Sequence, residues 1–397
     1  MAGSARGVLA VLLDLGDTIM IEETELKDAD GVTQRAELTP GAKDALRALK
    51  ARGLSLGLVA DTRIGTYQNV LRQHGLYELF DAFAISEALG CEKPDPMIFD
   101  HALTELGIEA ADRHRVLMVG NNLARDIAGA RRAGLFSVWC HWNDRYPVTP
   151  AGPDEAPDRT IQGLPELLPL IEEIDRALGA PLDPDAAAAA RRWAPEIRFD
   201  EFEPFLPVLV GCTVTDSPLP SPSFPRVLRP AAGERAIEYA VYWDWDIGHH
   251  YELEHLWVYV GGDGSVTRFE ASWHGRFHEL WPRPPAAPQL PSAPRAAPAA
   301  ASAPLVAYSQ PGKHAFAPQP EWFEPRERFV RPCTEQAGEG GLLVTPLYRG
   351  ILHKDPERDA LAARYLRARA FLPSFRFTRA YPLQRAPLGS WAELDAA

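Results

Sequence analysis

The sequence predicts an α/β region, a parallel sheet with crossover helices, followed by an all-β C-terminal domain. Three observations carry this. Residues 7–175 alternate short apolar runs with helix-spaced segments, as strands joined by crossover helices do. Polar residues cluster at the carboxyl ends of those runs, where open α/β sheets bind ligands. Beyond residue 195 the alternation stops, and the chain becomes aromatic, Pro-rich and β-like.

The elements follow in order. "VLAVLLDL" (8–15), apolar apart from Asp14, reads as a buried strand. "TPGAKDALRALKARG" (39–53) places Ala42, Ala45, Leu46 and Leu49 at helical spacing, with Pro40 in the first turn and Gly53 as the stop. A strand at 54–60 and a helix at 66–75 come next. "HRVLMVG" (114–120) is a strand, and "ARDIAGARRAG" (124–134) is a helix with Ile127 and Ala130 inward and Gly134 at its end. "FSVWC" (136–140) is the next strand, 147–158 is loop, and 164–179 reads as a closing helix. These elements make up a domain over residues 1–178. Residues 179–195, including "APLDPDAAAAARRWAP", read as a linker. The β-rich domain spans 196–397, with a Pro/Ala-rich disordered insertion at 281–304 and a basic amphipathic helix at 355–371.

Composition bounds the function. A chain of 397 residues exceeds one ordinary core, so two domains are expected. A formal net charge of −13 argues against a nucleic-acid partner, because phosphate neutralisation needs basic surface. The four cysteines are far apart, without CxxC or zinc spacing, and suit free thiols in a reducing cytoplasm. "VLAVLL" is too short to span a membrane and Asp14 follows it at once, so a cytoplasmic protein with no transmembrane segment is expected.

The polar clusters at the strand ends form an ordered set. Asp14 closes the first strand, and Asp17 and Thr18 follow it. Asp61 and Thr62 close the strand at 54–60. Lys93 lies in "GCEKPDP", and Asn121, Asn122 and Asp126 follow "VLMVG". Each alone is an ordinary loop or cap residue. In this order they resemble the haloacid dehalogenase-like hydrolase superfamily over residues 7–145. Asp14-Leu15-Gly16-Asp17-Thr18 is similar to its D-x-D-x-T motif, Lys93-Pro94-Asp95-Pro96 to its K-P-D-P motif, and Gly120-Asn121-Asn122-Leu123-Ala124-Arg125-Asp126 to its G-D-x-x-x-x-D motif.

The resemblance implies a Rossmann-like domain, with Asp14 as a nucleophile that forms an aspartyl-phosphate. It implies Mg²⁺ held by Asp14, the Gly16 carbonyl, Asn121 and Asp126, and a catalytic set of Asp14, Lys93, Thr18 and Asp17. Asp61, Thr62, Lys93 and Asn122 would meet the substrate phosphoryl group. Three positions depart from the pattern. Gly16 stands where the family's general acid/base belongs, and Asp17 is one residue late. Ala60 aligns with the second motif's Ser/Thr, and Asn121 replaces a carboxylate. The expected activity is a Mg²⁺-dependent phosphatase with reduced acid/base machinery, acting on a small phosphorylated molecule or an exposed phosphoryl group. The alternative is a catalytically degenerate domain that binds phosphate or another ligand, beside a β-domain recognising a glycan, lipid headgroup or protein. Only residues 19–38 separate the first strand from the next helix, and "DADG" (28–31) marks a hairpin turn, so a β-flap with no cap domain is expected. That leaves the site open to larger substrates or lets the second domain act as its lid.

A second constellation lies at 242–278, where five of the eleven histidines fall within residues 249–278. Two strands joined by "GGDG" (261–264) would alternate so that His250, Glu252 and Glu254 share one face. Pairing about Asp263 would set His274 opposite Glu252 and complete a second divalent-cation site. The competing reading is the wet face of an antiparallel sheet. "GHHYELEH" (248–255) resembles the G-H-R-H-D-W-E heptapeptide of necrosis-inducing proteins and their vacuolar-sorting-like relatives, with Tyr251 for the second His, Glu252 for the Asp and Leu253 for the Trp. "PLVAYSQPGKHAF" (304–316) is similar to a further element of that group. This resemblance implies a β-sandwich with a bound cation.

Overall fold

The computed structural model describes residues 7–281, 305–345 and 352–391, in two compact units. One unit is Met1–Gly179 with Ser217–Arg229, and the other is Ala180–Asp216 with Pro230–Ala397.

In the first unit, β1 (Ala10–Leu13) is followed by the short strands β2 (Leu26–Lys27) and β3 (Thr33–Arg35), then α1 (Ala42–Ala51) and β4 (Ser55–Ala60). Next come α2 (Ile64–His74), β5 (Ala82–Ile85), α3 (Ser86–Leu89), α4 (Pro96–Glu105) and β6 (Val116–Gly120). A π-helical turn at Leu123–Ile127 leads into α5 (Ala128–Arg132), and β7 (Phe136–Cys140), β8 (Arg159–Ile161) and α6 (Leu167–Gly179) complete it. Six strands form one sheet in the order β5-β4-β1-β6-β7-β8, every pair parallel. This is the expected Rossmann-like architecture. β1 lies between β4 and β6, so its carboxyl end, at Asp14, opens between theirs.

β1 shows why a continuous apolar run was needed. Val11 and Leu13 join the core cluster beneath α1 and α6, whereas Ala10 and Leu12 join the one beneath α4. Both faces of the strand are therefore covered, and burying each leucine contributes roughly 1.5–3 kcal/mol. β2 and β3 pair as an antiparallel hairpin through Asp28–Gly31 and form the expected flap in place of a cap domain.

Gly129 in α5 sits where the helix meets the lysine loop. A Cβ there would collide with the Phe99 ring and approach Pro94 Cα to 3.3 Å. Gly129→Ala is therefore expected to lower stability by about 1–3 kcal/mol through overpacking. Urea unfolding should show an earlier midpoint at unchanged slope; an unchanged midpoint would refute the packing argument.

The second unit departs from the expected layout in three places. Residues 180–195 were expected to be linker but hold α7 (Pro184–Arg192), capped by Asp183 Oδ1 accepting the Ala186 N–H at 2.8 Å. The alanine run has high helix propensity, and Ala190 is buried, its carbonyl accepting the Tyr239 hydroxyl at 2.8 Å. Residues 217–229, within the expected β-domain, pack in the first unit. There Arg229 donates to both Asp158 oxygens (2.6 and 3.0 Å), and His114 Nε2 lies 3.0 Å from the Ser221 carbonyl.

The third departure is register. The strands of the second unit are β9 (Glu196–Phe199), β10 (Leu209–Thr215), β13 (Arg235–Trp245), β14 (His250–Val260), β15 (Val266–Trp273), β16 (Arg276–Trp281), β17 (Val306–Ser309), β18 (Phe316–Ala317), β19 (Arg379–Pro382) and β20 (Leu388–Ser390). The intervening β11 (Leu219–Pro220) and β12 (Val227–Leu228) belong to the first unit. Two mixed sheets result, in the orders β16-β15-β14-β13-β10-β20 and β18-β17-β9-β19. β14 and β15 do form the expected hairpin, but a bulge between Tyr259 and Val260 shifts the pairing by one residue. Glu252 pairs with Trp243 of β13 instead, and His274 lies in the β15–β16 turn. The Pro/Ala-rich insertion lies, from residue 282 onward, outside the described residues. Among the described residues no helix is long and apolar enough to cross a membrane.

Candidate active site

The carboxyl ends of β1, β4 and β6 and the loop bearing Lys93 enclose a cavity of about 200 Å³. Asp14, Gly16, Asp61, Thr62, Lys93, Asn121, Asn122 and Asp126 all line it. The set expected at the metal is thus brought together, as is the set expected at the phosphoryl group. Lys93 is 4% exposed, and its Nζ donates to Asp14 Oδ1 at 2.5 Å and to Asp126 Oδ1 at 2.7 Å. Its backbone N–H donates to Asp61 Oδ1 at 2.9 Å, while Asp61 Oδ2 accepts from Arg125 at 3.2 Å. Asp61 therefore shapes the lysine loop as well as facing the cavity. Asn122 Oδ1 accepts the N–H groups of Ala124 and Arg125, both at 3.1 Å, and so starts the turn that carries Asp126.

The electrostatics follow from burial. Asp14 and Asp126 share a single ammonium, which leaves one negative charge in excess. Burial, reinforced by Asp126 and only partly opposed by Lys93, pushes the Asp14 carboxyl up to about 7. Burial alone would lower the Lys93 pKa, but Asp126 and Asp14 override it and push it upward. The Nδ2 atom of Asn121 is buried without a hydrogen-bond partner among the described residues. Carboxylate, amide and backbone oxygens together with an unmet negative charge fit a hard divalent cation.

Two expected catalytic residues lie away from the cavity lining. Thr18 is fully buried and its hydroxyl finds no partner among the described residues. Asp17 is also fully buried, with φ of 47°, in the left-handed region that non-glycine residues seldom adopt. Its carboxylate pairs with Arg145 and accepts the Glu22 N–H at 3.0 Å, and its carbonyl accepts the Trp142 indole N–H at 2.5 Å. Asp17 thus anchors the flap. The sequence reading missed Glu22, Glu25 and Lys27 of the flap, and Arg125 and Tyr146, all of which line the cavity. Among these, Glu22 has its carboxyl pushed up by burial, then by the neighbouring Asp17 charge. Its only sequence signal was an acidic pair inside a flap too short to fold independently.

The four residues expected at a second cation site are not assembled as one. Tyr251 adopts φ of 76°, which breaks the alternation of β14 between His250 and Glu252. His274 Nε2 lies 2.7 Å from Gln310 Oε1, Glu254 accepts the Ser272 hydroxyl, and His250 packs edge-on against Trp245. Ligand atoms of Asp246, His249 and Glu252 instead lie within 4.8 Å of one another. Asp246 there already holds the Lys313 ammonium and accepts two backbone N–H groups at 2.6 Å, so a cation is present in the form of lysine.

Known proteins resemble the N-terminal part of the chain. The chain is 37% identical over 132 residues to the pyrimidine 5'-nucleotidase YjjG of Escherichia coli (strain K12), covering 33% of this chain and 56% of that protein. It is 32% identical over 135 residues to a glyceraldehyde 3-phosphate phosphatase of Methanopyrus kandleri, covering 34% and 57%. A phosphoserine phosphatase of Thermus thermophilus is 34% identical over 134 residues, covering 34% and 51%. The chain thus spans about half the length of the curated relatives it matches. A crystal structure of a HAD phosphatase from Thermococcus onnurineus aligns with a TM-score of 0.34 at 21% identity, covering 41% of this chain and 97% of that one. Residues 3–134 match the family model of the haloacid dehalogenase-like hydrolases, with phosphatases among the relatives of the same region.

Proposed function

We propose that the N-terminal unit is a Mg²⁺-dependent phosphatase that works through an aspartyl-phosphate on Asp14. The observation that carries this reading is the buried Asp14–Lys93–Asp126 contact in the lining of this cavity. Asp14, Asp126, Asn121 and the Gly16 carbonyl would hold Mg²⁺, which when bound supplies positive charge to the phosphoryl oxygens. A carboxylate oxygen of Asp14 attacks phosphorus, and the bond to the leaving oxygen breaks. Water then attacks phosphorus, the bond to Asp14 breaks, and inorganic phosphate leaves. Lys93 keeps Asp14 oriented and places a fixed positive charge beside the phosphoryl group. Thr62 and Asn122, in the cavity lining, would receive phosphoryl oxygens. A flap of two short strands suits a small phosphorylated molecule or a phosphoryl group exposed on a larger one.

Phosphate release from a panel of phosphomonoesters tests the reading. The 397-residue chain with Mg²⁺ is expected to release phosphate from at least one of them, and to stop on chelation or in Asp14→Asn. Equal inactivity of wild type and Asp14→Asn across the panel would refute it.

A further inference from the structure

The phosphatase reading leaves one atom unaccounted for, the proton that the leaving oxygen needs. Gly16, two residues after Asp14, offers no side chain. Its backbone lies outside the left-handed region, so a larger residue would fit conformationally. What excludes a side chain is occupied space. A Cβ on Gly16 would collide with Glu22 Oε1 and would approach Glu22 Cδ and Cγ to 3.0 and 3.1 Å. The Glu22 side chain is 27% exposed and lines the same cavity as Asp14 and Lys93.

Glu22 is also held in place. It opens the 3₁₀ turn Glu22–Thr24, and its N–H is fixed by Asp17. The Thr24 hydroxyl donates to the Ile21 carbonyl at 2.7 Å and accepts the Glu37 N–H at 2.8 Å, which ties the turn to the far arm of the flap. Arg145 Nη1 lies 3.8 Å from Oε2, leaving Oε1 as the oxygen over Gly16.

We propose that Glu22 is the general acid/base of this site, its carboxyl delivered by the flap into the volume that Gly16 leaves free. This rests on the phosphatase reading. In the first step Asp14 attacks phosphorus, the ester P–O bond breaks, and the Glu22 proton passes to the departing oxygen. In the second step the Glu22 carboxylate takes a proton from water as the water oxygen attacks phosphorus. The bond to Asp14 breaks, its electrons return to the carboxylate, and Glu22 is protonated again.

Leaving-group dependence tests the assignment on the full chain with Mg²⁺. An alkyl phosphate needs a proton on its leaving oxygen, whereas p-nitrophenyl phosphate does not. Glu22→Gln is expected to slow glycerol phosphate hydrolysis about a hundredfold or more. With p-nitrophenyl phosphate the first turnover should stay fast, and phosphoenzyme should accumulate on Asp14, read as a one-phosphoryl gain in intact mass. The double variant Gly16→Asp with Glu22→Ala returns a carboxyl to the same volume and should recover glycerol phosphate hydrolysis. Unchanged rates on both substrates in Glu22→Gln, with Asp14→Asn inactive, overturn the Glu22 role alone. Equal slowing of both substrates without phosphoenzyme reduces Glu22 to a structural flap residue and also overturns it. If wild type and Asp14→Asn are equally inactive, the phosphatase reading itself falls and the proposal with it.

Discussion

Asp14→Asn is expected to remove turnover and at the same time to abolish a loss of stability that the metal-free wild type suffers as pH rises. The sign follows from the direction of the shift. Burial raises the Asp14 carboxyl in the folded protein to about 7, from an ordinary value of 3.8 in the unfolded chain. Between those values the folded state binds a proton that the unfolded state has released. The contribution of the protonated carboxyl is complete below about pH 4 and is lost as pH climbs through about 7. Its size is on the order of 4 kcal/mol, from the 1.36 kcal/mol that accompanies each pKa unit.

Denaturant unfolding at about pH 5 and about pH 8 without metal should therefore show a fall in stability for wild type that Asp14→Asn lacks. Mg²⁺ added at the higher pH should restore much of the wild-type stability and much less of the variant's, because a ligand stabilises only the state that binds it. Parallel pH profiles for the two proteins would contradict the charge imbalance read from the site. Loss of turnover alone would leave that imbalance untested, which is why the two readouts belong together.

Much of the site was legible because it depends on short-range sequence. A short apolar run ending in Asp14, too brief for a helix, reads as a strand covered on both faces, and parallel sheets collect polar residues at their carboxyl ends. Asp14, Lys93, Asn121 and Asp126 come together for that reason. The flap was visible in "DADG" because hairpin turns have a local chemistry. The features that were not legible depend on long-range partners. Asp17 reads as a neighbour of the nucleophile, yet it is taken up by Arg145, 128 positions away. Glu22 meets Gly16 only after the chain has reversed, and spacing does not encode that approach. In the β-rich unit one bulge at Tyr259/Val260 and one left-handed residue, Tyr251, undid a correct hairpin prediction, since a single-residue shift changes every facing pair. Arg229 binds Asp158 from 71 positions away, and so carries residues 217–229 into the first unit.

Lys93→Met should have the largest effect on stability. Methionine keeps the length and most of the volume of the lysine stem, so little cavity term is added. It removes the ammonium that bridges Asp14 and Asp126, the latter 1% exposed. Withdrawing one member of a buried ion cluster leaves its partners' charge uncompensated, at about 3–5 kcal/mol. The deficit should be greatest at about pH 8 and shrink at about pH 5, where a proton on Asp14 replaces the missing charge. Mg²⁺ should recover more stability in this variant than in wild type, since the cation then neutralises two carboxylates without competing with an ammonium. Lys93→Arg would not substitute, because a planar fork cannot occupy the point between two oxygens that a compact ammonium fills. A Lys93→Met protein as stable as wild type at about pH 8 without metal would mean that the carboxylates are solvated well enough to need no counter-charge. The raised Asp14 pKa and the cation fit built on it would then both lose their basis.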